Sequence, residues 1–559
     1  MAKQFSPSKR SSATVARPLS PETSVSAIVE PQPGAELTWS DSLDAARRLF
    51  AQPLVRICSA LVLVAVVWQI FVLGFYLDDW PFIINTAQTG KAFSLARWHA
   101  ARTESLPRPG LTPLWYFLTS VLGNQTILWH TALLAVNIAL VYLLFEIGRA
   151  LTGDFETRRS DRIIYFSVLF WMILPWNATF HFWPTDVPVL LIQNLFLLCM
   201  LVTLRGWVTG RFALVLTLVG YLWACIGYEA VYFQWVPLGA IGLLLVWARR
   251  LTLKNFIRGL SPFVIGQAMA LAWMSISLRI NHDTQNKIVS NWPAVFLWNF
   301  RRLPGQLIRS SAETGWIVGA AVLVWGAAAT YVYVRSLWAP ARRTAALFSI
   351  GKVFACLFGA MLSILAFSLG GRTMQGIGVD ARSLLGSSIW FVIVAVLVNT
   401  FCWSRASRQT LVVMRTAIVV AAAALAIGHL QRAFDWAEAW KDQNRILQEA
   451  PISAMKSMEP GAAVFLLNPA NVNGAPILAA PWDVNYAMKL THPAVSSHEF
   501  LVYNPWLGLL RWSNGTLAYE SLTLSKDRPL YVWIPGTHDF FKADKPFYID
   551  QNASIHGAN

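Results

Sequence analysis

Two adjacent carboxylates stand where a long apolar run ends. The run begins near Ile57, and Asp78 and Asp79 follow its last residues in the stretch LGFYLDDWPFIINTAQTG (73–90). A charged side chain near hydrocarbon is costly, so an acid pair at the end of a membrane span predicts a functional site. The alternative is structural, because Asp is a common helix N-cap and Pro81 fits the first turn of a helix.

The composition indicates that most of this chain is not dissolved in water. Of 559 residues, 55% are hydrophobic and only 13% are charged, whereas a soluble globular protein carries about 25% charged residues. The 27 Trp and 32 Phe residues suit a chain with many membrane crossings, because aromatic rings settle at the membrane–water interface. These observations predict a polytopic helical membrane protein.

The net charge of +16 does not indicate a nucleic-acid partner. The basic residues form short clusters between apolar runs, which is typical of cytoplasmic loops under the positive-inside rule. The five cysteines all lie in or beside apolar runs. Neither a disulfide framework nor a zinc site is therefore indicated.

Apolar segments of about 20 residues are needed to cross a bilayer. The sequence predicts about eleven such spans, near residues 57–77, 125–150, 163–182, 186–204, 212–229, 231–248, 260–280, 314–334, 346–368, 384–402 and 414–430. Arginine clusters follow the even-numbered spans, and further arginines precede the first one. This alternation places the N-terminus in the cytoplasm and the Asp78–Asp79 pair on the outer face.

Changes in composition predict three regions. Residues 1–50 form a basic, disordered cytoplasmic tail, 51–430 form the membrane domain with an outer loop at 78–124, and 431–559 form an extracytoplasmic domain. The last region combines an amphipathic helix at Phe434–Glu449 with short β-like runs at 462–468, 515–524 and 529–535. The predicted fold class is therefore an all-α polytopic membrane protein with a small C-terminal α/β domain.

Two further acids belong to the predicted outer face. Glu229 lies in GYEA (227–230) between two apolar runs, where it can orient a substrate hydroxyl or pair with an arginine. Asp186 ends WPTD (183–186) in the preceding outer turn. We favour a helix-capping role for Asp186, although it stays a candidate for substrate binding.

Basic side chains on the same face are candidates for phosphate binding, since phosphate groups favour arginine and lysine partners. Arg372 and Arg382 lie in the glycine-punctuated loop 369–383. A predicted surface helix at 91–102 carries Arg102 and also His99, and the other basic candidates are Lys91, Arg97, Arg108, Arg301 and Arg302. The alternative is that these side chains touch lipid headgroups, and that His99 is an interfacial residue.

The arrangement of these parts resembles the GT-C superfamily of integral-membrane glycosyltransferases. The likeness rests on LDDW with Asp78 and Asp79 after the first span, on WPTD and GYEA in short outer turns, and on GVDARSLLG (378–386) before a late span. The last element differs from the family's Arg-Tyr-Leu-Leu-Pro motif, because Ser383 and Gly386 replace the usual Tyr and Pro.

The resemblance implies that a sugar moves from a polyprenyl-phosphate donor to an acceptor hydroxyl on a lipid, glycan or protein. Asp78 or Asp79 would be the catalytic base, the reaction would invert the anomeric centre, and the likeness is closest to mannosyl- and arabinosyltransferases. No cofactor is required, although a divalent Mg²⁺ or Mn²⁺ ion suits oxygen ligands at such a site. The expected location is a bacterial plasma membrane, with the C-terminus outside and membrane lipids as partners.

Other functions stay open at this point. A lipid-linked glycan flippase or transporter would tend to show repeated, broken spans in two matching halves, and no such duplication is visible. A polymerase or ligase of lipid-linked glycans would share the fold, and a scaffold protein would use its outer domain to bind a partner.

Overall fold

The computed structural model describes residues 44, 47–84, 108–152, 158–281, 289–371, 373–374, 379–467, 471–502 and seven short segments between 510 and 557. In chain order the α-helices are α1 (Pro53–Val67), α2 (Gln69–Val72), α3 (Leu111–Leu122), α4 (Thr126–Thr152), α5 (Arg158–Leu169), α6 (Ala178–Phe182), α7 (Val187–Thr209), α8 (Leu214–Gly227), α9 (Trp235–Trp247), α10 (Leu253–Asn281), α11 (Trp292–Ser310), α12 (Gly315–Trp338), α13 (Pro340–Leu369), α14 (Leu385–Arg405), α15 (Arg408–Gln448), α16 (Ile452–Lys456) and α17 (Pro481–Thr491).

The helices define a multi-pass membrane protein. Among the described residues, nine helical segments of 19 to 41 residues are long and apolar enough to cross a membrane. The predicted third span is a bent pair, Ser160–Ile173 and Pro175–Phe182, with a 54° angle between its halves. The predicted fifth span is the 14-residue α8. The count of eleven spans therefore stays a prediction.

The first span ends earlier than the sequence predicts. Helix α2 stops at Val72 instead of residue 77, because Leu73 takes an extended conformation with ψ 154°. The chain then runs without helix to Leu77, whose φ of 40° lies in the left-handed region. A π-helical turn, Trp80–Ile84, follows the two aspartates. The acid pair thus belongs to a bent, non-helical connection beyond the first span.

The last membrane helix continues well past the predicted end of its span. Helix α15 has 41 residues, which corresponds to about 60 Å at 1.5 Å per residue. It includes both the predicted span 414–430 and nearly all of the predicted amphipathic helix 434–449. No proline interrupts 408–448, so nothing in the backbone ends the helix at the predicted domain boundary of 430/431.

The C-terminal region contains two main sheets, as the β-like runs predict. Strands β1 (Ala463–Leu466), β4 (Glu499–Val502) and β8 (Leu530–Ile534) are parallel to one another, with β1 between the other two. An antiparallel strand, β9 (Asp539–Lys542), extends this sheet at β8. The remaining strands are β2 (Asn471–Val472), β3 (Ala475–Pro476), β5 (Leu510–Ser513), β6 (Thr516–Tyr519), β7 (Leu522–Leu524), β10 (Phe547–Ile549) and β11 (Ile555–Gly557).

The second sheet is wholly antiparallel, in the order β11-β10-β5-β6-β7. Helix α17 lies between β3 and β4 in the chain and packs against the π-helical turn after Asp79. Buried residues of this region, such as Val464 and Val484, belong to the same apolar cluster as Trp436 of α15 and Ile83. The C-terminal region therefore packs directly onto the segment that carries the acid pair.

Candidate functional site

The Asp79 side chain is fully buried, and both of its carboxyl oxygens accept hydrogen bonds. Its Oδ1 oxygen accepts hydrogen bonds from the backbone N–H of Thr185, at 2.9 Å, and from the Thr185 hydroxyl. Its Oδ2 oxygen accepts the Tyr76 N–H at 2.7 Å. Burial raises the pKa of the Asp79 carboxyl well above its usual value, although these donors oppose the shift. The carboxyl of Asp79 is therefore part of the scaffold, and its burial favours Asp78 as the candidate base.

Asp78 is the partly exposed member of the pair. Its backbone carbonyl accepts a hydrogen bond from the Phe82 N–H at 3.0 Å, which fixes its place at the start of the π-helical turn. Its charge acts on three other carboxyls, those of Asp79, Asp186 and Asp483. Asp78 is therefore within electrostatic range of these three acids.

Hydrogen bonds join the connection after the first span (73–79) to the WPTD turn (183–186). Besides the Asp79–Thr185 contact, the Trp183 indole N–H donates to the Tyr76 carbonyl at 3.1 Å. The Thr185 carbonyl in turn accepts from the indole N–H of Trp115 in α3, at 3.2 Å. Two sequence motifs about a hundred residues apart are thus held together as one unit.

Asp186 does not have the capping role that the sequence favoured. It occupies the N-cap position of α7, but its side chain makes no capping hydrogen bond. Its Oδ2 atom is buried and has no hydrogen-bond partner among the described residues. The charges that act on it are those of Arg382, Asp78 and Arg108. Asp186 therefore faces the charged cluster and does not cap its own helix.

Glu229 forms an ion pair with Arg108, and both side chains are about one-third exposed, at 30% and 28%. The Arg108 guanidinium also lies 5.4 Å from the centre of the Tyr228 ring. Gly110 sets this geometry, because a Cβ atom there would lie 3.0 Å from the Gly227 backbone. The Gly110 N–H instead donates to the Ile226 carbonyl at 3.2 Å. The start of α3 is thereby held against the end of α8.

Arg382 reaches the cluster from the 3₁₀ segment Val379–Leu384 before α14. Its guanidinium lies 5.6 Å from the centre of the Trp183 ring, at cation–π distance. Gly386, at the start of α14, lies against two side chains, and a Cβ there would meet Gln234 and Ser363 at 2.3 and 2.5 Å. A larger residue at this position would therefore have to displace those side chains.

The structure brings together five charged residues that the sequence singled out: Asp78, Asp186, Glu229, Arg108 and Arg382. Arg372, Arg102 and His99 lie outside the described residues, as does the whole of the predicted surface helix 91–102. Across the part of the chain that the structure covers, no group of three His, Cys, Asp or Glu side chains could hold a metal ion. A bound Mg²⁺ or Mn²⁺ ion stays a prediction.

Two residues of the site were missed from the sequence. Thr185 is an ordinary hydroxyl residue, and only the fold reveals its contact with Asp79. Asp483 lies about four hundred residues after Asp79, but the two acids have similar sequence neighbours. Asp483 follows Pro481 and Trp482, and Asp79 precedes Trp80 and Pro81. An acid close to adjacent Trp and Pro residues thus occurs in three segments, at 79–81, 183–186 and 481–483.

A separate, largely apolar cavity of about 10 Å³ lies within the helix bundle. Its polar lining consists of Gln69, His130, Asn137 and His181, and none of the five clustered charges reaches it. Its volume is close to that of one water molecule. We assign this cavity no part in the candidate site.

The class that these helices and contacts define is a polytopic membrane protein in which acids and arginines cluster where several helices end. No protein-family model matches the sequence, and a search of the curated proteins finds no similar one. The function is therefore argued from the cluster itself.

Proposed function

We propose that the protein is a membrane glycosyltransferase that moves a sugar from a polyprenyl-phosphate donor to an acceptor hydroxyl. One observation carries the proposal. Acids and arginines from four separate segments converge beside Asp78, although the chain is poor in charge. Transfer from a lipid phosphate requires this combination, a base for the acceptor and cations for the departing phosphate.

Asp78 is the proposed base. It removes the proton from the acceptor hydroxyl as that oxygen bonds to the anomeric carbon and the bond from carbon to phosphate oxygen breaks. The electron pair of the broken bond leaves with the polyprenyl phosphate, and a single displacement of this kind inverts the anomeric centre. Asp78 suits the role because it is partly exposed, whereas the neighbouring Asp79 is enclosed.

Arg382 is the proposed partner of the donor phosphate. A guanidinium binds phosphate oxygens in a planar, charge-assisted geometry, and its attraction grows as the leaving group gains charge. Trp183 supports the Arg382 guanidinium through its ring. Arg108 is a second cation of the site, held by Glu229, and Asp186 is a candidate contact for sugar or acceptor hydroxyls.

The apolar helices would hold the isoprenoid chain, and the cluster would lie at the membrane surface. We propose a bacterial plasma membrane with the N-terminus in the cytoplasm, which puts the cluster and the C-terminal region outside. The basic loops after the even-numbered predicted spans support this orientation.

The test is a transfer assay with purified full-length protein in lipid nanodiscs. Radiolabelled mannose and arabinose on polyprenyl phosphates serve as donors, and octyl α-mannoside serves as a simple acceptor. The proposal expects labelled product that depends on the protein. Movement of the labelled lipid between the leaflets of protein-containing vesicles, with no product formed, would instead establish a flippase.

A further inference from the structure

We propose that Asp483, from the C-terminal region, is a positioning residue of the candidate site and acts through Asp78. This inference rests on the proposed function and extends it, because it makes the region after α15 a part of the site. The observations behind it are a buried unpaired carboxyl oxygen, a charge contact and a bridging glutamine.

Asp483 is fully buried in the first turn of α17. Its Oδ2 atom accepts the Ala479 N–H at 2.9 Å, as an acid near a helix start often does. Its Oδ1 atom has no hydrogen-bond partner among the described residues. A buried carboxyl oxygen without a partner is costly and calls for a specific reason.

The neighbour of that carboxyl is Asp78. The Asp78 charge acts on Asp483, and α17 packs against the turn Trp80–Ile84. Burial raises the pKa of Asp483 well above its usual value, and the Asp78 charge adds to the rise. Among the described residues the Ala479 N–H also acts on Asp483 and lowers its pKa, while the Asp78 charge acts on Asp79 and Asp186 as well.

Gln443 of α15 forms hydrogen bonds with both the segment before Asp78 and the segment before Asp483. Its Nε2 group donates to the Phe75 carbonyl at 2.9 Å, and its Oε1 atom accepts the Leu478 N–H at 3.4 Å. Both segments contain a left-handed leucine, Leu77 with φ 40° and Leu478 with φ 44°. Strained residues of this kind cluster at functional sites and persist when the surroundings enforce them.

These features give Asp483 a defined effect on the reaction. A protonated Asp483 does not repel the charge of Asp78, so that Asp78 can accept the proton of the acceptor hydroxyl. An ionised Asp483 would disfavour the charge on Asp78, and two like carboxyls at one site avoid double ionisation.

The test is a double-mutant cycle of D78N and D483N in the full-length protein, with melting temperatures measured at about pH 5 and about pH 8. We expect D483N to melt higher than wild type at the higher pH, and to gain clearly less in the D78N background. The gain should shrink at the lower pH, where both carboxyls are protonated more. Equal gains in both backgrounds would overturn the inference. The control is Asp442→Asn, which alters a one-third exposed acid of α15 whose surface ion pair with Arg445 contributes little, and it should leave both melting temperatures near those of wild type.

Turnover is measured separately on the same variants. If wild type transfers sugar and D483N has an unaltered pH profile of kcat/KM, the inference fails while the proposed function stands. If wild type transfers no sugar but the melting gains are unequal, the proposed function fails while the link between Asp78 and Asp483 stands. The two claims can therefore be rejected independently.

Discussion

The carboxylate of Asp79 accepts hydrogen bonds from both the backbone N–H and the hydroxyl of Thr185. This contact joins the connection after the first span to the turn before α7. Asp79 therefore links these two segments, whereas Asp78 is partly exposed. The adjacent acids thus have different surroundings, from which different roles follow.

Asp79→Asn should weaken the fold. The Asn side chain must point its NH₂ group at either the Tyr76 N–H or the Thr185 donors, so at least one hydrogen bond is lost. We expect a loss of about 1–3 kcal/mol in the free energy of unfolding. Thermal melting at about pH 5, where this contribution is larger than at neutral pH, measures the loss, and Thr185→Ala should reproduce part of it. A D79N protein as stable as wild type at that pH would contradict the assigned role.

The stability gap between wild type and D79N should depend on pH. Because burial raises the folded-state pKa of Asp79 above the ordinary 3.8, its stabilising contribution is complete below that value and declines as pH rises through the folded-state pKa. D79N lacks this decline. The melting temperatures of wild type and D79N should therefore differ more at about pH 5 and converge toward about pH 8. A gap that widens with pH would show that Asp79 is ionised in the folded protein.

Arg382→Ala should raise the donor KM by about tenfold, which corresponds to the loss of about 1.4 kcal/mol of charge-assisted binding. The matched control is Arg415→Ala, since Arg415 also lies over a tryptophan, 4.5 Å from the centre of the Trp403 ring. We expect normal kinetics from the control. Equal effects of both substitutions on the donor KM would remove Arg382 from phosphate binding.

Gly110→Ala should disturb the Arg108–Glu229 ion pair. The new Cβ would lie 3.0 Å from the Gly227 backbone, and overpacking of this kind costs about 1–3 kcal/mol. Melting temperature and transfer rate should both fall. Gly326→Ala in α12 is the control, because its Cβ would meet open space. A Gly110→Ala protein that behaves like this control would contradict the described contact.

Removing the charge of Glu229 should change the melting temperature little and the donor KM clearly. The ion pair is about one-third exposed, and pairs at such positions contribute about 0–1 kcal/mol. Glu229→Gln should therefore melt near wild type, while its freed Arg108 changes the donor KM. A large drop in melting temperature with unchanged kinetics would make the pair purely structural.

The sequence predicted the apolar helices well, because long hydrophobic runs with few charges leave little choice of structure. It placed the end of the first span too late, at residue 77 instead of Val72. The run 73–77 is apolar, so hydropathy cannot distinguish it from helix. Its extended form depends on contacts with α15, such as the bond from the Tyr76 hydroxyl to the Trp436 carbonyl.

The candidate site was predicted in part for a similar reason. Rare charges in an apolar chain drew attention to Asp78, Asp186, Glu229 and Arg382, and the fold brings them together. The sequence could not separate Asp78 from Asp79, since adjacent residues share every local pattern. It also missed Asp483, because the packing of α17 on the first connection is a long-range contact.

The most direct test of the account is the sugar-transfer rate of Asp78→Asn, compared with wild type in the same nanodiscs. Asp78 is partly exposed, so the substitution should leave the melting temperature near that of wild type. We predict a rate at least about a hundredfold lower, since a positioned general base contributes about 10²–10⁴-fold. A folded D78N protein that transfers sugar at the wild-type rate would contradict the account.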